Sequence, residues 1–146
     1  MKIAMLENKY SEKKILVTGA GGFIGSHLAE LLVKLGADVT ALIHYNSNGT
    51  RGWLEKSPLK SEMNIVSGDV RDAFQIRKIV DKKEIVFNLA ALIGIPYSYL
   101  APSSYFETNV VGTINLLEAT RDQANCRVIQ MSTSEVYGTA KVVPMS

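Results

Sequence analysis

The chain has 146 residues, 47% of them hydrophobic and 21% charged, and sixteen basic side chains against fourteen acidic ones leave a net charge of +2. This balance excludes intrinsic disorder, collagen-like repeats and a disulfide-stapled miniprotein, and a single domain of this length buries about 70% of its unfolded surface. The charges are interspersed, so no basic patch is presented to nucleic acid or to an anionic membrane.

In chain order, residues 1–12 read as a polar, loosely ordered lead-in. Ile15-Leu16-Val17 is a short apolar run that predicts a buried strand and leads into a glycine cluster. From Phe23 to Leu35 the residues Ile24, Leu28, Leu31, Leu32 and Leu35 keep helical spacing, and Gly36 stops the helix. Val39–Ile43 predicts a second strand, followed by a loop from Tyr45 to Gly52, and Asn64–Ser67 a third. Phe74, Ile76, Ile79 and Val80 suit a helix, Ile85–Leu89 a fourth strand, 103–121 a long helix and Val128–Met131 a fifth strand. Strands alternating with helices of this length form βαβ units, whose handedness imposes a parallel sheet with helices on both faces. The expected fold class is α/β, a doubly wound parallel sheet of the Rossmann type over residues 13–146.

No run approaches the ~18 apolar residues of a membrane span. The four-residue apolar stretch before Glu7 is too short for a signal-peptide core. Cys126, the single cysteine, forms no internal disulfide and fits a reducing compartment. Asn48-Gly49-Thr50 matches a glycosylation acceptor, but without a secretion signal it reads as turn chemistry. The expectation is a soluble, cytoplasmic protein. No metal site is expected, because Cys126, His27 and His44 lack ligand spacing.

The first strand runs into Thr18-Gly19-Ala20-Gly21-Gly22-Phe23-Ile24-Gly25, after which a helix begins. Gly19, Gly22 and Gly25 permit a tight strand-to-helix turn, a close backbone approach to a pyrophosphate, and close helix–strand packing. The helix N-terminus then directs free N–H groups, those of Phe23 and Ile24 among them, at an anion. A glycine triplet alone also fits an ordinary turn; its place in a first βα unit favours dinucleotide binding.

The chain resembles the extended short-chain dehydrogenase/reductases (the NAD-dependent epimerase/dehydratase family) that act on nucleotide sugars. The resemblance rests on the glycine loop, Gly68-Asp69-Val70, Asn88-Leu89-Ala90-Ala91, the run from Asn109 to Ala119, and Ser132-Thr133-Ser134-Glu135-Val136-Tyr137-Gly138. It implies that Asp69 bonds the adenine amino group with Val70 packed nearby, that Leu89, Ala90 and Ala91 pass the cofactor ribose, and that Asn109 lies close by. On the residues alone, Asp69 also fits a turn cap and Asn109 a satisfied helix polar group. NAD-selective proteins carry an acid at the end of the second strand. Here Ile43, His44, Tyr45 and Asn46 stand there, with no acid before Glu55. Arg51 or His44 is available to pair with a 2′-phosphate, so the expected cofactor is NAD or NADP. Asn88 replaces a His common in relatives, a change expected to touch local hydrogen bonding only.

The resemblance places Thr133, Ser134 and Glu135 at the reaction centre. Thr133 would bond the sugar O4, and Glu135 would act as the base that removes the C5 proton during loss of water across C5–C6. Epimerases of the family usually lack an acid at the Glu135 position, and dTDP-glucose dehydratases have Asp in place of Ser134. GDP-mannose dehydratases and UDP-glucuronate decarboxylases share Thr-Ser-Glu. The loop from Ala90 to Tyr99 looks most like nucleotide-sugar 4,6-dehydratases of legionaminic-acid synthesis, acting on nucleotide-linked N-acetylglucosamine. A 4,6-dehydratase is therefore expected ahead of a decarboxylase or epimerase, with a non-catalytic dinucleotide-binding module as the third class. Glu135 also fits a solvated loop carboxylate.

The family's Tyr-x-x-x-Lys relay is matched in spacing by Tyr137 and Lys141, but Gly138 and Val142-Val143-Pro144 oppose a helix there. The relay and most of the substrate domain are expected beyond Ser146, so the chain should bind cofactor without turnover. Phe106, Val110, Ile114 and Leu117 form one apolar stripe of the 103–121 helix, and the resemblance implies a homodimer through it, against ordinary core packing. A nucleotide sugar is the expected small-molecule partner.

Overall fold

A computed structural model describes residues 2–45 and 49–139, with the backbone alone for 2–5. Five strands, β1 (Lys14–Thr18), β2 (Asp38–His44), β3 (Asn64–Gly68), β4 (Ile85–Asn88) and β5 (Arg127–Gln130), pair in the order β3-β2-β1-β4-β5. Every pairing is parallel, with Leu16 opposite Thr40 and Val86 and with Asn88 opposite Gln130. The order reverses at β1, whose neighbours β2 and β4 lead the chain to opposite sides. In such a sheet the crevice at the carboxyl ends of the two diverging strands is the ligand site.

Alternate side chains of β1 serve two cores, as a period of two requires. Ile15 and Val17 pack with Val39, Ala41 and Ile43 of β2 and with Ala29 and Leu32 of helix α2 (Phe23–Lys34). On the opposite face, Leu16, Leu42 and Val86 meet Ile76 and Val80 of helix α3 (Ala73–Val80) and Leu116. Asp72 caps α3 by accepting the Phe74 and Gln75 N–H groups, both at 3.0 Å. The central strands β1 and β2 are covered on both faces, whereas β5, at the sheet edge, leaves Arg127, Ile129 and Gln130 exposed.

Several elements differ from the sequence expectation. The lead-in forms a helix, α1 (Lys2–Tyr10), and Tyr10 packs against the α2-side core. After a short turn, α4 (Ile95–Ser98), the long helix begins at Pro102 and is not uniform. An α-helical turn, α5 (Pro102–Tyr105), passes into a π-helical stretch, Phe106–Val111, and then into α6 (Gly112–Thr120). Phe74, grouped with the apolar face of α3 by spacing, points outward beneath the Lys78 ammonium, which lies 4.4 Å from the ring centroid. No helix among the described residues is long and apolar enough to cross a membrane.

Leu116 is fully buried while Leu117, beside it in sequence, is half exposed. Leu116→Ala should lower the unfolding free energy by about 2–5 kcal/mol through the cavity it leaves. Leu117→Ala should change it by about 0.5 kcal/mol or less in the monomer. Urea denaturation of the two variants measures the contrast.

Candidate functional site

The carboxyl edge of the sheet is organised around the glycine loop. Gly19 has φ +66°, and a β-carbon there would lie 2.9 Å from the Ala90 nitrogen and the Leu89 carbonyl, so β1 turns directly against the chain leaving β4. Gly22 is the N-cap of α2, with no side chain capping the helix and no acid in its first turn, which contains Phe23, Ile24 and Gly25. A β-carbon on Gly25 would overlap the Gly19 carbonyl. The first-turn N–H groups thus open onto a cradle of backbone, the arrangement that holds a phosphate anion. Beside it lies a cleft of about 230 Å³, with Gly19, Gly21 and Gly22 on one wall and Ile43, His44 and residues 50–52 on the other.

Behind the loop sits a buried polar network. Thr18 donates its hydroxyl to Asn88 Oδ1 at 2.6 Å and accepts the Leu89 and Ala90 N–H groups at 3.1 and 3.0 Å. Asn88 Nδ2 donates to Gln130 Oε1 at 2.8 Å and to Thr113 Oγ1 at 3.4 Å. Asn88 therefore ties β4 to β1, β5 and the long helix. Sequence reasoning missed Thr18 and Gln130, although a hydroxyl on the last residue of the strand before a glycine loop was the available signal.

Asp69 directly follows β3 and faces Arg71, which approaches it through Nε at 2.9–3.0 Å and Nη2 at 2.5 Å, while the Arg71 backbone N–H donates to Oδ1 at 2.9 Å. The second arm of Arg71 reaches Glu107 at 3.5 Å, and His44 Nε2 stands 3.6 Å from Asp69 Oδ2. The hydrogen-bonded guanidinium holds the Asp69 carboxyl below the usual carboxylate range against the opposing effect of desolvation. Asp69 is thus a turn cap and a strand-tip carboxylate at once. The missed partner, Arg71, was legible only as the second residue after it. Val70 is buried under the long helix, and Asn115 donates to the Val70 and Arg71 carbonyls at 3.1 and 2.9 Å. An open hollow of about 490 Å³ on the outer side of β3, lined in part by Tyr45, Phe74 and Lys78, also borders Asp69.

Asn109 lies in the π-helical stretch and spends its side-chain amide on Leu92, accepting the Leu92 N–H at 2.8 Å and donating to the Leu92 carbonyl at 2.9 Å. It holds the segment that follows Leu89, Ala90 and Ala91 in place. At the tip of β5, Met131 donates its N–H to the Asn88 carbonyl at 3.0 Å, which brings Thr133, Ser134 and Glu135 to the same sheet edge as the glycine loop. All three are exposed, in and before a 3₁₀ turn, Ser134–Tyr137, where Thr133 Oγ1 accepts the Glu135 N–H at 3.4 Å. Tyr137 belongs to that turn, which Gly138 closes at φ +74°, while Asn46, Asn48 and Lys141 lie outside the described residues.

The lowered Asp69 carboxyl carries a pH consequence. Its contribution to stability is complete above the unfolded-state value of about 3.9 and is lost as the pH falls through the lower folded-state value. In a carboxyl-selective NMR titration Asp69 should titrate below that ordinary value, and Arg71→Met should move it upward. An unmoved titration in the variant would show that Arg71 is not the cause.

Comparison with known proteins places this geometry. A family model described as GDP-mannose 4,6 dehydratase matches residues 16–146. UDP-N-acetyl-alpha-D-glucosaminuronate decarboxylase of Bacillus cytotoxicus is 37% identical over 127 residues, covering 87% of this chain and 38% of that protein. Among solved structures, UDP-N-acetylglucosamine 4-epimerase of Methanobrevibacter ruminantium, in complex with UDP-N-acetylmuramic acid, superposes with a TM-score of 0.80 at 33% identity, covering 93% of this chain and 43% of that one. The Bordetella bronchiseptica enzyme WbmH, in complex with NAD+, gives a TM-score of 0.72 at 28% identity over 88% of this chain and 42% of that one. The chain spans about two fifths of the length of these relatives. It belongs to the GDP-mannose 4,6 dehydratase family, within the epimerase/dehydratase group of extended short-chain dehydrogenase/reductases.

Proposed function

We propose that the chain is the cofactor-binding portion of a nucleotide-sugar 4,6-dehydratase, holding NAD or NADP along the carboxyl edge of the sheet. The observation that carries the reading is Thr133-Ser134-Glu135 on the β5 tip, on the same edge as a glycine loop whose following helix is uncapped and free of acids in its first turn. Those residues fit a dinucleotide: open backbone N–H groups and the helix N-terminus suit the pyrophosphate, and Asp69 has acceptor capacity for an adenine amino group beyond its bonds to Arg71. NAD+ in the related WbmH complex supports the same cofactor class.

A nicotinamide cofactor bound here would supply the acceptor for the C4 hydride and the same hydride for C6, so no net redox change would result, while the O4 proton would pass to the Tyr base of the family's relay. Thr133 accepts the Glu135 N–H, which leaves its own hydroxyl proton to donate to the sugar O4. Oxidation at C4 acidifies the C5 hydrogen. Glu135, exposed and hence ready to meet a substrate, takes that proton and supplies one to the departing C6 hydroxyl, which leaves as water. Ser134, between them, stands where dTDP-glucose dehydratases carry Asp. A second reading, a decarboxylase or 4-epimerase sharing the C4 oxidation, is favoured by the names of the similar relatives.

Product analysis with nucleotide sugars separates the two. In a protein carrying this sequence and active on a nucleotide sugar, Glu135→Gln should slow formation of the 4-keto-6-deoxy product by about 10²–10⁴-fold. Decarboxylation or epimerisation that proceeds unchanged in the variant would favour the second reading. The 146 residues alone should leave the substrate unchanged, because Tyr137 sits in a 3₁₀ turn, unlike a helical Tyr-x-x-x-Lys relay.

For the partner we propose a second copy of the chain. Phe106, Val110, Ile114 and Leu117 are all exposed on the long helix, and such a set of apolar side chains is more than water-facing helices ordinarily carry. Sedimentation velocity at micromolar concentration should show a dimer that Ile114→Glu converts to a monomer, whereas a wild-type monomer would refute the interface.

A further inference from the structure

The last residues of β1, β4 and β5 lie opposite one another: Thr18 pairs with Asn88, and Asn88 with Gln130. Their side chains form a polar row across three neighbouring strands, and its polarity is set from one end. Thr18 Oγ1 already accepts the Leu89 and Ala90 N–H groups, so its own proton goes to Asn88 Oδ1. That leaves Asn88 Nδ2 to face β5, where it meets Gln130 Oε1 at 2.8 Å. Gln130 Nε2 is thereby turned away from Asn88 and donates to the Met131 carbonyl at 3.0 Å. Reversing the Gln130 amide would set donor against donor at Asn88 and oxygen against oxygen at Met131.

Met131 is held by both of its backbone groups. Its N–H donates to the Asn88 carbonyl at 3.0 Å, and its carbonyl takes the Gln130 amide. Only Ser132 separates this anchored peptide from Thr133, whose hydroxyl accepts the Glu135 N–H at the start of the 3₁₀ turn. Asn88 is buried, at 2% exposure, and its other donation, to Thr113 at 3.4 Å, is long. Gln130 is therefore the close acceptor for Asn88 and the link that carries the order of the β4 exit to the β5 exit.

We infer that Gln130 is a positioning residue for the reaction: its amide fixes the Met131 peptide and so sets where Thr133 and the following turn stand. This role rests on the reading of Thr133 and Glu135 as the groups that meet the sugar. Gln130 acts through the backbone, so replacing it misplaces the Thr133 hydroxyl without removing a group that bonds the substrate. A displacement on the order of 1 Å at a reacting group costs about 10²-fold in rate.

The test is steady-state turnover of nucleotide sugars by the intact protein that carries this sequence. Gln130→Leu removes both side-chain bonds. Gln130→Glu keeps an oxygen for Asn88 and sets a second oxygen against the Met131 carbonyl, so it isolates that contact. Both variants should lower kcat by about 10–100-fold, with KM and the NAD+ dissociation constant within about threefold of wild type. On a Thr133→Val background, Gln130→Leu should cost no more than about threefold, because the group it positions is gone. Wild-type kcat in both variants, a loss that falls equally on NAD+ binding, or an undiminished loss on the Thr133→Val background overturns the inference and leaves the dehydratase reading standing. A wild type that yields an epimer or a decarboxylated sugar overturns the dehydratase reading instead. The same kcat comparison then still decides the role of Gln130, because C4 oxidation is common to these reactions. No turnover of any nucleotide sugar overturns both.

Discussion

The Thr18 hydroxyl is the point on which the site's geometry depends. It is wholly buried, donates once and accepts twice, and so has no capacity left for another partner. Its two acceptances are the N–H groups of Leu89 and Ala90, which have left the β4 ladder and would otherwise be orphaned where the sheet order reverses. Because those bonds draw the β4 exit inward, the following residue of β1 must turn with no side chain, and Gly19 does so. A larger residue would push Ala90 away and break the bonds that brought it there. The polar network and the glycine are thus one constraint expressed on two strands.

The long helix is the second organising element, and it works by holding loops. Asn115 takes the carbonyls of Val70 and Arg71, while Asn109 grips both backbone groups of Leu92. The two asparagines lie six residues apart, a separation that on a regular α-helix puts them well off a common face. The π-helical stretch, Phe106–Val111, contains the first of them and alters that phase. From the start of α6 the Thr113 hydroxyl donates to the Asn109 carbonyl at 2.7 Å and accepts from Asn88 Nδ2 at 3.4 Å. Distortion of the helix, the β4 exit and the β3 exit are in this way mechanically joined.

Much of the fold was legible because its signals are local and strong. Ile15-Leu16-Val17 and Val39–Ile43 are apolar runs too short for helices, and the structure buries them on both faces. The glycine spacing reported a backbone approach that no side chain would tolerate. Less legible were features decided by contacts distant in sequence. Phe74 satisfies helical periodicity, yet it stands outside on the border of the open hollow along β3, under Lys78 rather than in the core. The helix Lys2–Tyr10 has a polar composition, and among its described side chains it is Tyr10 that packs against the core. Asn88, by sequence a replacement with local effect, has an amide that spans four elements. A π turn leaves almost no mark in composition, since it changes the path of the backbone rather than the choice of residues.

The electrostatics of the carboxyl edge follow from the same arrangement. Asp69 would by itself make the β2–β3 side of the crevice negative. Arg71 neutralises it through a two-residue turn, with its other arm on Glu107 of the helix, so the pair is nearly neutral toward the cleft. His44 approaches that pair rather than an isolated acid, with Nε2 3.6 Å from Asp69 Oδ2. Arg51 has no comparable partner among the described residues, and the arch of chain bearing it is fixed to the glycine loop by Gly52 and Trp53. An arginine carried on that arch, lining the same cleft as Gly22 at the α2 N-terminus, adds to the helix's own positive potential instead of cancelling it. The edge thus separates into two regions: a balanced Asp69–Arg71 corner suited to a neutral base, and an unbalanced Arg51 corner suited to an anion.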